Sequence, residues 1–243
     1  MKKLSAKKLI VYLFGIITIG TLGSCMKDND QDYPEAILTT VNSYLSANGV
    51  LYGVDNSALQ PNYSPIPYQR YDSYRFLEGS RRLRIFTDNN QPLVDEIYTF
   101  KENTYYTSFI YGWQEDVRHI LSEDKLLADI TNQSGIRFLH LSPSEGKVNV
   151  YLNNKQTPLY EDRGYEGEED DSDQEENEHL IFTAQNSGKH TIIITDEDDE
   201  LLIEREYTFE SGVHYSIILI GDSSSMIRPL YVGIVSQYQN RRQ

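Results

Sequence analysis

The residues able to do chemistry in this chain are few, and their spacing argues against catalysis. The five histidines, His119, His140, His179, His190 and His214, include no close pair at metal-ligand spacing, so no zinc-type ligand set is written into the sequence. His140 ends the run Ile136 to Leu139, where a hydrogen-bonding role at a strand end is the expectation. No Gly-x-Ser-x-Gly elbow presents a nucleophilic serine. The acidic run Glu166 to Glu178 offers carboxylate oxygens to calcium but lacks the spaced Asp-x-Asp-x-Asp-Gly register of a calcium loop. Like charges at that density repel and predict a solvated loop. Segment 61–74 gathers Tyr63, Tyr68, Tyr71 and Tyr74 with three prolines. Tyrosine faces stack on sugar rings and anchor protein contacts, which makes these four the candidate binding surface. No catalytic residue, metal site or cofactor is expected.

One further group is chemically distinctive, the thiol of Cys25. It is the single cysteine, so there is no intramolecular disulfide, redox pair or thiolate metal site, and core burial alone must hold the fold. Ahead of it lie Lys2, Lys3, Lys7 and Lys8, then the apolar stretch Ile10 to Ile19, then the small residues Gly23 and Ser24. This order reads as a secretory signal. The apolar stretch is shorter than the roughly 20 residues that cross a bilayer. Leu22-Gly23-Ser24-Cys25 resembles the lipobox of bacterial lipoproteins. The resemblance implies a signal peptide over 1–24, cleavage before Cys25, acylation of its thiol and a flexible tether through residue 35. More than one acyl chain gives stable anchoring, at about 0.8 kcal/mol per buried methylene. Lys27 followed by Asp28, Asn29 and Asp30 resembles the surface-export signal of some Gram-negative lipoproteins. The implied address is the cell envelope, at the outer membrane, with surface exposure.

Removing residues 1–24 takes away four lysines and leaves 18 basic against 37 acidic side chains, a net charge of −19. Such a surface is repelled by nucleic acid. The 19 tyrosines, with many Val, Ile and Thr runs, favour strands over helices.

The chain also compares with itself. Thr87-Asp88 recurs as Thr195-Asp196, Tyr98-Thr99-Phe100 as Tyr207-Thr208-Phe209, and Tyr106 and Gly112 as Tyr215 and Gly221. The offset is 98 at Asp55/Asn153 and 108 at Asp88/Asp196, so the second copy holds a net ten extra residues, in the interval with the acidic run. A period near 100 residues predicts duplicated domains rather than a solenoid. The copies are placed at 36–130 and 131–243, with an acidic insertion at 161–178. In each, short β-branched runs end in acidic or Asn-rich turns, Asp88-Asn89-Asn90 and Asp196 to Glu200, which reads as hairpins. Ser216 to Ile220 is apolar on both faces and predicts a central strand. One segment, Asp116 to Ile130, is compatible with a helix. Seven or so strands per copy fit a β-sandwich.

Ile136-Arg137-Phe138-Leu139-His140-Leu141-Ser142-Pro143, then Val148-Asn149-Val150-Tyr151, the turn at Gly188 and Tyr215-Ser216-Ile217-Ile218 resemble a bacterial domain of unknown function, family number four-three-nine-seven. The resemblance is fuller over 135–235 than over 36–125, where Asn42 and Ser43 stand near the His-x-Ser-Pro position. It implies an all-β chain of two tandem immunoglobulin-like sandwiches, in secreted or lipid-anchored proteins, and carries no catalytic residues. It also places Tyr68, Tyr71 and Tyr74 on a strand entering the glycine turn at Gly79. The reading is a non-catalytic binding or structural module held to the membrane through Cys25, with a glycan or another envelope protein as partner. Its alternatives are a carbohydrate-binding lipoprotein of a polysaccharide uptake system and a fimbrial anchor or adhesin.

Overall fold

The computed structural model describes residues 34–167 and 178–237. The segment read as a signal peptide, Cys25, the expected tether up to residue 33 and most of the acidic run lie outside the described residues. Two successive sets of strands fill the chain. The first holds β1 (Glu35–Tyr44), β2 (Gly49–Val54), β3 (Ser57–Ala58), β4 (Ile66–Pro67), β5 (Tyr71–Leu77), β6 (Gly79–Thr87), β7 (Pro92–Phe100), β8 (Tyr105–Trp113) and β9 (Asp116–Glu123). The second holds β10 (Gln133–His140), β11 (Val148–Leu152), β12 (Tyr160–Arg163), β13 (Thr183–Asn186), β14 (Gly188–Thr195), β15 (Leu201–Phe209), β16 (His214–Ile220) and β17 (Tyr231–Ser236). The protein is all-β, as its composition predicts.

Each set builds two sheets. In the first they run β5-β1-β8-β9 and β3-β2-β6-β7, and in the second β13-β10-β16-β17 and β12-β11-β14-β15. In both sets the opening strand pairs in parallel with the penultimate one, β1 with β8 and β10 with β16. Backbone turns repeat as well. Asp55 and Asn153, Gly79 and Gly188, Asn90 and Asp199, and Gly112 and Gly221 all take positive φ. The Asp55 and Asn153 side chains each accept a backbone N–H from the neighbouring strand, that of Arg82 at 3.0 Å and that of Thr191 at 3.1 Å. The Tyr106 hydroxyl accepts the Lys101 N–H at 3.0 Å, and the Tyr215 hydroxyl accepts that of Glu210 at 3.1 Å.

Burial patterns show how the sheets stack. β6 and β15 alternate between more and less covered positions along much of their length, the signature of a sheet with one wet face. β1, β8, β10 and β16 are buried almost throughout, so they are covered on both faces. One cluster, including Leu38, Tyr52, Leu83, Ile85 and Phe100, fills the first sandwich. Another, including Phe138, Val150, Ile192, Phe209 and Ile217, fills the second. A third joins Val41, Phe109 and Tyr111 of the first set to Leu139, Leu141, Ile218 and Ile220 of the second. The two sandwiches therefore share a dry seam, and the chain from Pro34 onward is one compact unit.

A buried polar network runs through the seam. Arg137, fully buried, donates to Asp124 Oδ1 at 2.8 Å, Ser122 Oγ at 2.8 Å and Ser216 Oγ at 2.7 Å. Its guanidinium lies 4.4 Å from the Phe182 ring centre. Thr107 Oγ1 meets Asp124 Oδ2 at 2.6 Å. Burial pushes the Asp124 carboxyl up, against the pull of Arg137 and the Thr107 and Ser122 hydroxyls.

Two expectations are corrected. Asp116–Glu123 is strand β9, not helix, because a hairpin at Gln114 and Glu115 returns it along β8, pairing Tyr106 with Glu123 and Trp113 with Asp116. Cross-strand pairing outweighs local helical period. Tyr160–Arg163 is β12, and Tyr165 and Glu166 are buried. Glu166 is no solvated loop residue. Its Oε1 accepts the His140 N–H at 3.3 Å and lies 3.4 Å from Arg163 Nη2, while Oε2 lies 3.3 Å from His179 Nε2. The Glu166 carbonyl accepts the Tyr111 hydroxyl at 3.1 Å and Arg118 Nη1 at 3.0 Å, tying the two sets together.

Candidate binding groove

The seam opens at one flank into a groove of about 430 Å³ between the edge strands of the two sets. Its floor is aliphatic, from Val41, Ile218, Ile220 and Val235. One wall is the turn into β5, with Gln69, Arg70 and Tyr71. The other is built from Arg205 on β15 and Tyr231 and Gly233 on β17.

Local backbone chemistry fixes both walls. Buried Asn42 donates Nδ2 to the Ile66 carbonyl at 2.9 Å, the Gln69 N–H donates to the Asn42 carbonyl at 3.0 Å, and the Asn42 N–H to the Arg70 carbonyl at 3.0 Å. Gln69 takes the left-handed conformation, φ 65°, which turns the chain into β5. Tyr71 then stands opposite Val41 in register. On the other wall Arg205 Nη1 donates to the Tyr231 hydroxyl at 2.9 Å and to the Val232 carbonyl. Gly233 lies opposite Ile218, and a Cβ there would come within 2.6 Å of Ile218 Cγ1. The missing side chain lets β17 lie close over the floor.

The four tyrosines singled out by sequence are not one surface. Tyr71 lines the groove and is 40% exposed. Tyr68 lies beside it, packed on the seam cluster with the Arg228 guanidinium 4.3 Å from its ring centre. Burial pushes the Tyr68 hydroxyl up to about 12 despite the Arg228 charge. Tyr74 faces the other way, against the first sandwich core, and donates to Asp72 Oδ2 at 3.0 Å. Tyr63 projects from a 3-10 turn at 72% exposure and is not among the groove residues. A strand alternates its faces, so Tyr71 and Tyr74 cannot share one. Arg70, Arg205, Tyr231 and Gly233 escape sequence reading because the groove joins edges about 160 residues apart.

His140 takes the place expected of it. Buried at the end of β10, its Nε2 lies 2.9 Å from the Gly146 carbonyl and its Nδ1 accepts the Ser142 N–H at 3.3 Å. Asn42 does the same in the first set, accepting the Tyr44 N–H at 3.1 Å. The structure also brings His119 Nε2 to 2.7 Å from Ser108 Oγ, with Tyr98 on Nδ1 at 3.2 Å. Ser108 is fully buried and meets the Tyr52 hydroxyl, so this pair ties β8 to its neighbours and offers no surface to a substrate. No cluster of metal-ligating side chains occurs among the described residues, and no helix there is long and apolar enough to cross a membrane.

Stacked sheets, two of them mixed and two antiparallel, define an all-β protein of immunoglobulin-like sandwich type. Residues 37–151 match the family model described as Domain of unknown function (DUF4397). The match covers the first set and the opening strands of the second. It thus falls on the part where the motif resemblance is thinner, and it stops ahead of the interval that carries the extra residues. No curated protein matches the chain. Among solved structures, the carbohydrate-binding module CBMbc (family CBM26) of Eubacterium rectale Amy13K, crystallised with maltoheptaose, aligns at 11% identity over 85% of this chain and 98% of that one, with a TM-score of 0.26. An overlap that shallow carries no weight for function.

Proposed function

We propose that the protein is a non-catalytic binding module of the cell envelope, anchored by acylated Cys25 to the outer membrane, which holds a glycan in the flank groove. In this reading the domains are two tandem sandwiches, 36–130 and 131–243, behind a signal peptide and tether. The repeated turns at Asp55/Asn153 and Gly112/Gly221 support the duplication. The observation that carries the binding role is the groove itself, a preformed cleft with an aliphatic floor, tyrosine faces and a few convergent polar groups. Two experiments test the proposal. Cys25→Ala should leave an uncut, unlipidated precursor, and membrane recovery of this variant at mature size would defeat the anchoring claim. On a glycan array the full chain should bind, and Tyr71→Ala and Tyr231→Ala should abolish that binding. Unchanged binding by both variants would remove the groove from the reading.

A further inference from the structure

We infer that the groove takes a carboxylate-bearing saccharide, an oligomer of uronic acids in class. This rests on the groove reading above and adds the charge of its ligand. The body behind the anchor is strongly acidic, with 37 carboxylates against 18 basic side chains. Six of the described arginines are ion-paired, Arg75, Arg81, Arg82, Arg118, Arg137 and Arg163. Four have no carboxylate partner among the described residues, and two of these, Arg70 and Arg205, line the groove. No carboxylate lines it, so Arg70 and Arg205 are its two charges, one on each wall.

The arginines are placed to receive an anion rather than to close the wall. Arg70 is exposed and makes no ion pair. Arg205 lines the groove, and its hydrogen bonds, to the Tyr231 hydroxyl and the Val232 carbonyl, use Nη1. A planar fork of N–H donors fits a carboxylate in two-point fashion. Between the arginines stand the Tyr71 and Tyr231 rings over an apolar floor, which suits the flat face of a sugar ring better than an extended polyanion. An acidic surface around a cationic slot rejects long polyanions and admits short acidic ligands that reach the slot.

The test is calorimetric titration of the full chain in detergent with tetragalacturonate, its methyl ester, an alginate tetramer and tetraglutamate. The inference expects an acidic sugar to bind and the uncharged ester to bind at least about tenfold more weakly, the weight of one charge-assisted contact. Arg70→Gln should weaken the acid about tenfold with no change in melting temperature, since Arg70 has no partner to lose. Arg205→Gln should weaken it too. Equal binding of acid and ester would overturn the anionic inference and leave the groove reading standing. Tetraglutamate binding as tightly as the sugars would overturn the saccharide class. No binding by either acidic sugar overturns the inference as well. Neutral glycans that bind and lose binding on Tyr71→Ala would then keep the groove reading alive alone.

Discussion

Arg137 and Asp124 concentrate the risk in the seam. Both are buried, 2.8 Å apart, with every neighbour a short polar side chain or an aromatic ring. Removing one partner of such a pair strands a charge in a dry interior and costs about 3–5 kcal/mol, whereas replacing both by apolar groups can be neutral. Asp124→Asn should therefore lower unfolding stability by about 3–5 kcal/mol, and the double change Asp124→Leu with Arg137→Met should recover most of it. Urea unfolding reads both, and a loss in Asp124→Asn under about 1 kcal/mol would mean that water reaches the pair. Sequence reading could not find this pair. Arg137 lies inside the motif that carries the family resemblance, yet its partner sits in the link after β9, and nothing local marks a buried arginine. His140 was legible because its role is local, with an N–H donor two residues on and a carbonyl six residues on.

At the scale of elements, the hairpins and their turns were readable and the layering was not. β16 contains the run Ser216 to Ile220 read as a central strand, and the acidic turn Asp196 to Glu200 links β14 to β15, because β-branched residues and acidic turns signal within a few positions. The stacking depends instead on β1, whose Thr39, Thr40, Asn42 and Ser43 are buried although their types read as surface. Between two inner sheets, hydroxyls and amides can meet cross-strand and backbone partners, as Thr40 does with the Asp72 carbonyl at 3.1 Å. The repeated glycine turns allow a matched comparison. Gly188 and Gly221 have φ of +118° and +100°, so any L side chain is strained at either, by about 1–3 kcal/mol. A Cβ at Gly188 meets nothing, whereas one at Gly221 would overlap the Pro229 carbonyl. Gly221→Ala should therefore cost more than Gly188→Ala by at least about 1 kcal/mol, the scale of forced overpacking. Equal losses in chemical denaturation would show that the loop before β17 yields freely.

Across the whole molecule the histidines make acid a stronger stress than the sequence implies. Burial pushes His119 down to about 4, against the opposing pull of Glu96. Burial does the same to His214, and here the Arg137 charge adds to it. His140 is lowered by burial as well. Neutral imidazoles are thus built into the seam and the first sandwich, while in the unfolded chain they take a proton near 6.5. The unfolded state therefore binds more protons as pH falls below about 6.5, and folding stability declines until about 4. Below that value His119 and His214 protonate in the folded state too, and their share of the loss stops growing. Each fully protected histidine contributes a slope of up to about 1.4 kcal/mol per pH unit. Most carboxylates titrate nearer 4, so the interval from 6.5 to 5 isolates the histidines. Because the two sets share one core, the loss should appear in a single transition. Stability measured by urea unfolding should fall steadily from pH 7 to pH 5, and His119→Gln with His214→Gln should flatten that slope. A wild-type profile that stays level across the interval would show that these rings keep access to water.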